Sequence, residues 1–229
     1  KKKKRIRQKT KLKKLKKNTP EYIEAKYEVE RLNTSQMVIK ILINSCYGYM
    51  GNKNAPIGDD DIASSVTLTG QAVIKYSNEL IKKFIKNEIP DISDRELEGC
   101  IVYNDTDSSY VSITPLVNKG LKFLDGDDVH QDTHDKIQEI EDYLNNGVQE
   151  WAKKSLLSQD SRFVFKRECI ADVGVFLQKK RYVMHILDDE GIKENKFKYT
   201  GVEVVRTTML MLLNRMLKKL LKLCLVRNL

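Results

Sequence analysis

The chain has 229 residues, 41 of them Lys or Arg and 32 Asp or Glu, with a formal charge of +9, 41% hydrophobic residues and four cysteines. A chain of this length buries roughly 70% of its unfolded surface, which suffices for one large domain or two small ones without disulfides or structural metals. No apolar run reaches the roughly 18 residues of a membrane span, no apolar segment follows the opening lysines to make a secretion signal, and Cys46, Cys100, Cys169 and Cys224 form no CxxC pair, which argues against a zinc ribbon and fits a reducing compartment.

In chain order, residues 1–17 hold 12 basic residues and no acid, and they lack Gly and Pro. Residues 209–229 hold five more basic residues and no acid, which leaves 24 basic against 32 acidic residues between them, a net of −8. Basic ends suit a polyanion such as nucleic acid, and an acidic middle can supply cation-binding carboxylates; a lysine-rich solvated helix is the plainer alternative. Asn18-Thr19-Pro20-Glu21 predicts a turn and a helix start, since proline suits the first helical turn. From Glu21 to about Met50 nothing breaks the pattern before Gly48, which allows a helix of about 30 residues and about 45 Å, antiparallel to the first. After Pro56 and Gly58, the acids Asp59, Asp60 and Asp61 predict the cap of a second long helix reaching about Lys86.

Cys100 to Ile113 changes character. Ile101-Val-Tyr103 and Ser109-Tyr-Val111 flank Asn104-Asp105-Thr106-Asp107, which predicts a β-hairpin with an acid-bearing turn. A helix is expected from about Thr133 to Leu157. Strands are expected at Phe163 to Asp172, Arg181 to Leu187 and Lys196 to Val205, before a final helical segment. This order of helices, hairpin, helix and strands predicts an α+β fold rather than alternating βαβ units.

Three constellations carry chemistry. Asp105 and Asp107 would face opposite ways on a regular strand, but a hairpin turn relaxes that, and paired carboxylates suit a hard divalent cation in phosphoryl transfer. On the long helix Lys40, Asn44 and Tyr47 fall within an arc of about 60°, with Gly48 and Gly51 close by: a cation for phosphate, an amide and an aromatic ring for a nucleotide, or equally a solvated lysine and a core tyrosine on an amphipathic helix. Lys179, Lys180 and Arg181 precede Tyr182 at the start of an apolar strand, and Lys198-Tyr-Thr-Gly201 falls in the next; such cations can track a phosphate backbone or simply be solvated.

Taken together, Lys40-Ile-Leu-Ile-Asn44-Ser-Cys-Tyr47-Gly48, Tyr103-Asn-Asp105-Thr-Asp107-Ser, Lys179-Lys180-Arg181-Tyr182 and Lys198-Tyr-Thr-Gly201 resemble the KxxxNSxYG, YGDTDS, KKRY and KxTG motifs of family B DNA polymerases, in the family's order. The resemblance runs from about Glu21 to Val205 and is greatest to replicative polymerases of large tailed phages. It implies a helical fingers hairpin over residues 1–52, the C-terminal part of a palm with an antiparallel sheet over 53–206, and the start of a helical thumb over 207–229. Its catalytic residues would be Asp107 and Asp105. Lys40, Asn44, Tyr47 and Gly48 would bind the deoxynucleoside triphosphate, while Lys179, Lys180, Arg181, Tyr182, Lys198 and Gly201 would hold primer-template DNA. Asp107 and Asp105, with Glu168 nearby, would bind two Mg²⁺ ions.

Two departures qualify this. Asn104 stands where the motif has glycine. The DxxSLYPS segment, which carries the family's other metal-binding aspartate ahead of the fingers, is absent, and the chain starts at Lys rather than Met. The expectation is therefore a polymerase fragment, or one part of a split enzyme, that needs the missing upstream segment to complete its two-metal site. The compartment implied is intracellular, the host cytoplasm for a phage protein, and no membrane partner is expected. The rival reading is a non-catalytic basic nucleic-acid-binding module or a degenerate polymerase remnant. The basic, leucine-rich stretch Met209 to Leu229 fits the thumb, an amphipathic surface helix or a shifted reading frame.

Overall fold

The computed structural model describes residues 2–17, 19–157 and 162–202, and has an α+β fold in two units, Lys1–Gly70 and Gln71–Leu229. The expected helix at 209–229 and the end of the strand expected to reach Val205 lie outside the described residues.

Unit 1 is helical. Helix α1 (Lys2–Lys14) pairs with α2 (Pro20–Met50), whose Ala25, Val29 and Leu32 are buried. Thr19 caps α2 by accepting the Tyr22 N–H at 3.2 Å, Pro20 takes the first helical position, and Lys4 meets Glu28 at 3.0 Å. Arg31 and Lys4 together hold the Glu28 carboxyl below its ordinary pKa. Helix α3 (Asp60–Glu88) begins in this unit, and Asp59 caps it through Oδ1, which accepts from the Asp61 and Ile62 N–H groups at 2.8 and 3.2 Å. The second half of α2 is different in kind. From Met37 to Tyr49 its apolar side chains point in every direction, and Met37, Val38, Ile41, Leu42 and Ile43 are all exposed.

Unit 2 has two apolar centres. In the first, Val73, Leu80, Ile81 and Ile85 of α3 pack with Leu144 and Val148 of α6 (Gln131–Ser155), together with Ile89, Ile92, Cys100 and Leu116. Gly147 permits the close approach, since a Cβ there would lie 2.6 Å from Leu80 Cδ1. The second lies on a three-stranded antiparallel sheet of β5 (Cys169–Gln178), β6 (Arg181–Asp189) and β7 (Ile192–Thr200), where Tyr182, Met184 and Ile186 share one buried face. The strands β1 (Ile101–Asp105) and β2 (Ser108–Val111) form a separate hairpin, and β3 (Leu124–Asp125) and β4 (Asp128–Val129) form a small one.

Several local expectations need correction. The segment Phe163–Glu168 is not strand; β5 starts at Cys169 and runs on through Gly174 to Gln178. Its backbone is already engaged elsewhere: Asn145 of α6 accepts the Phe165 N–H at 2.8 Å and donates to the Phe165 carbonyl at 3.0 Å, and Glu141 accepts the Arg167 N–H at 2.9 Å. Phe163 and Phe165 then add to the helical core. Strand β7 starts four residues earlier than expected and ends at Thr200, because the two-residue turn Glu190–Gly191, with φ of 55° and 83°, folds Ile192 back against Asp189. Two short helices were not anticipated, α4 (Asp94–Gly99) and α5 (Thr114–Asn118); α4 has a full capping box between Ser93 and Glu96.

Because Ile85 is fully buried between the helices, Ile85→Ala should remove about 2–5 kcal/mol of stability. Urea denaturation of the variant against the parent measures this, with a midpoint shift expected at an unchanged slope.

Candidate functional site

The acid-bearing hairpin is tighter than its sequence implies. Asn104 and Asp105 both belong to β1, paired with Ser109 and Ser108, so only Thr106 and Asp107 form the turn. Its left-handed residue is Thr106, with φ of 50°, and the Asp107 N–H donates back to the Asp105 carbonyl at 2.6 Å. A β-branched residue rarely adopts that backbone, so the reversal stores strain between the two carboxylates. Asn104 is not the left-handed residue, which explains how it can stand in a glycine's place. Asp107 projects from the turn and is exposed, whereas Asp105 is half-buried and its Oδ1 accepts from the Thr106 hydroxyl at 3.1 Å.

Tyr103 lies two residues before Asp105 on the same strand and pairs with Tyr110 across the hairpin. Their rings meet Phe176 of β5 and Tyr182 of β6, with all six pairwise centroid distances between 5.3 and 5.9 Å. The Tyr110 and Tyr182 hydroxyls are 2.8 Å apart, and burial, reinforced by that hydrogen bond, pushes the Tyr110 phenol well above its ordinary pKa. This cluster lays the hairpin against the sheet.

The turn between β5 and β6 is Lys179–Lys180, with Lys180 left-handed at φ 61°. Its N–H donates to the Tyr103 hydroxyl at 2.8 Å, and its ammonium stands 4.0 Å from Asp105 Oδ1. Gly201 closes the other side: it too is left-handed, at φ 61°, and a Cβ there would lie 2.0 Å from the Lys180 carbonyl oxygen. Lys180 and Gly201, 21 residues apart in sequence, thus meet backbone to backbone, and a third motif, the acid hairpin, joins them. Lys179, Lys180, Arg181 and Lys198 are exposed, while Tyr182 is 5% exposed and belongs to the aromatic cluster, so its ring holds the turn rather than offering a free surface. Glu168 is exposed just before β5, and its carbonyl accepts the Glu190 N–H at 2.7 Å.

Two carboxylates beside hydroxyl and carbonyl oxygens are the donor chemistry a hard cation such as Mg²⁺ takes, and they fit it as a partial site. Among the described residues no group of three His, Cys, Asp or Glu side chains converges to hold a metal. A cation held there would need further ligands from water, substrate or other residues.

In unit 1, Lys40, Asn44 and Gly48 are exposed along α2, and Tyr47 is 39% exposed rather than part of a core. A Cβ at Gly48 would meet nothing within 4 Å, so that helix face is open. His130 caps α6, its Nδ1 accepting the Asp132 N–H at 3.1 Å.

A family model, DNA polymerase family B, matches residues 3–228. The chain belongs to that family. Among family B polymerases it is similar to the DNA-directed DNA polymerase of Escherichia phage RB69, 28% identical over 193 residues that cover 76% of this chain and 20% of the relative. The DNA-directed DNA polymerase of Enterobacteria phage T4 is 30% identical over 200 residues, covering 77% of this chain and 20% of the relative, and DNA polymerase 1 of Pyrococcus abyssi is 28% identical over 204 residues, covering 88% and 20%. The chain spans about a fifth of the length of these curated relatives.

What the motifs did not reveal is the joint: the Tyr103 hydroxyl on the Lys180 N–H, Tyr110 on Tyr182, and Phe176 among them. The period of two along β1, which puts Tyr103 and Asp105 on one face, was the available signal. Gly201→Ala should cost about 1–3 kcal/mol, since alanine there strains φ and collides with the Lys180 carbonyl. Thermal denaturation reads the loss, and a melting temperature equal to the parent's would show that the two turns do not abut.

Proposed function

We propose that this chain supplies the fingers hairpin (residues 1–52), part of the palm (53–206) and the start of the thumb (207–229) of a DNA-directed DNA polymerase. The observation that carries this reading is the convergence, on one joint, of the acid hairpin with the Lys180 turn and Gly201, in a chain matching family B over residues 3–228. The reaction is template-directed attack of a primer 3′-hydroxyl on the α-phosphate of a deoxynucleoside triphosphate, releasing pyrophosphate.

Asp107 and Asp105 are the residues that would hold Mg²⁺, with Glu168 an outer contributor. When bound, the metal ions lower the barrier by activating the attacking oxygen and offsetting charge on the leaving group. Asp107 is exposed at the turn, whereas Asp105 is oriented by Thr106 and Lys180. Lys40 attracts the triphosphate, Asn44 shapes that site beside the open backbone of Gly48, and Tyr47 packs against the nascent pair. Lys179, Lys180, Arg181 and Lys198 hold the duplex through its phosphates, with Tyr182 and Gly201 fixing the turn that presents them.

The described carboxylates make only a partial metal site, and the reading therefore requires a further polymerase segment, in cis or in trans. The second half of α2 supports that requirement. A helix that is apolar around all but a narrow Lys40–Asn44 strip belongs against a larger body, yet Met37, Val38, Ile41, Leu42 and Ile43 are exposed here. No described helix is long and apolar enough to cross a membrane. The phage relatives favour the host cytoplasm as the working compartment.

Primer extension tests this directly. The chain alone should not extend a primer, and mixing it with the matching upstream polymerase segment should restore extension; robust synthesis by the chain alone would remove the need for a second segment. In the reconstituted enzyme Asp107→Ala should abolish turnover while leaving duplex affinity nearly intact, and near-normal turnover would overturn the metal-holding role of Asp107. Lys40→Ala should raise KM and lower kcat, costing on the order of 2–4 kcal/mol in kcat/KM.

A further inference from the structure

We infer that Tyr103 is a positioning residue for the DNA-gripping turn, acting through the backbone of Lys180. The inference deepens the polymerase reading above and rests on its assignment of Lys180 to duplex binding. Lys180 is left-handed at φ 61°, a conformation lysine does not favour, so something must hold it there. Two contacts do. The Lys180 N–H is fixed at 2.8 Å by the Tyr103 hydroxyl, and its carbonyl is packed against Gly201. With both ends of the residue held, its side chain leaves the backbone in one direction, toward Asp105 at 4.0 Å.

Tyr103 sits on the strand that ends in Asp105, so its hydroxyl ties the cation's backbone to the carboxylate's own strand. The nearby Tyr110 hydroxyl makes a different bond, to the Tyr182 hydroxyl at 2.8 Å. The two tyrosines therefore separate positioning from packing. Each can lose one oxygen while its ring stays in the cluster.

The test is fluorescence anisotropy of a labelled primer-template duplex with the full chain, alongside melting temperatures. Lys180→Met should weaken binding, and Tyr103→Phe should weaken it by about threefold to tenfold. The double variant should bind no worse than Lys180→Met alone, because the hydroxyl acts only through that lysine. Tyr110→Phe should lower the melting temperature and leave binding at the parent's value. Parent-like binding by Tyr103→Phe, effects of Tyr103→Phe and Lys180→Met that multiply, or equal loss of binding in Tyr103→Phe and Tyr110→Phe would each overturn the inference while leaving duplex binding by Lys180 standing. Unchanged binding by Lys180→Met would instead remove the DNA-gripping role and the inference with it.

Discussion

A four-ring aromatic cluster holds this site together. A two-stranded hairpin is marginally stable in water on its own, and the strands β1 and β2 pair with no other described strand. What fixes the hairpin is the contact of Tyr103 and Tyr110 with Phe176 and Tyr182 on the neighbouring sheet. Ring pairs of this kind add about 0.5–1.5 kcal/mol each beyond the area they bury, and the hydroxyls at the rim find partners in Lys180 and in each other. The carboxylates therefore inherit their position from hydrophobic packing, not from any charged interaction. The Asp105 to Lys180 approach is too solvated, with Lys180 64% exposed, to hold the two segments together by itself.

Charge is arranged differently from what the chain's two basic ends suggest. Residues 1–70 carry 16 basic and seven acidic residues, and residues 71–229 carry 25 of each, so the whole excess of +9 belongs to unit 1. The basic residues after Met209 are offset by acids elsewhere in their own unit. Long-range attraction of polyanions should come chiefly from the helical unit, whereas the local cations of unit 2 act at contact distance within a Debye length of about 8–10 Å.

Much of the fold was legible because strong local signals agreed. Thr19-Pro20 starts α2, Asp59 caps α3, and Ile101–Tyr103 and Ser109–Val111 flank the polar turn of a hairpin. The start of β5 was not legible: Phe163 and Phe165 carry a strand-like pattern, but Asn145, 20 residues away, supplies the hydrogen bonds a partner strand would have made to Phe165. The capping box at Ser93 and Glu96 is present in the sequence, but the six-residue α4 that it starts is too short to show a helical period. At the site the motifs marked Asp105, Asp107, Lys180 and Gly201 as residues, while their meeting depends on two left-handed turns and an aromatic face that no spacing encodes. The positive φ of Thr106 runs against the preference of its own side chain, so local propensity pointed away from it.

The left-handed backbone at Lys180 sets two selective pressures against each other. Glycine or asparagine would suit φ 61° better than lysine does, and either would remove the ammonium. Screening variants for heat resistance alone should therefore enrich Lys180→Gly or Lys180→Asn, yielding sturdier proteins that lack the ammonium beside Asp105. Gly201 has no such freedom, because the Lys180 carbonyl fills the place of any side chain there. Thermostabilising libraries built on this scaffold should accordingly hold position 180 fixed, and treat an apparent gain there as a loss of charge.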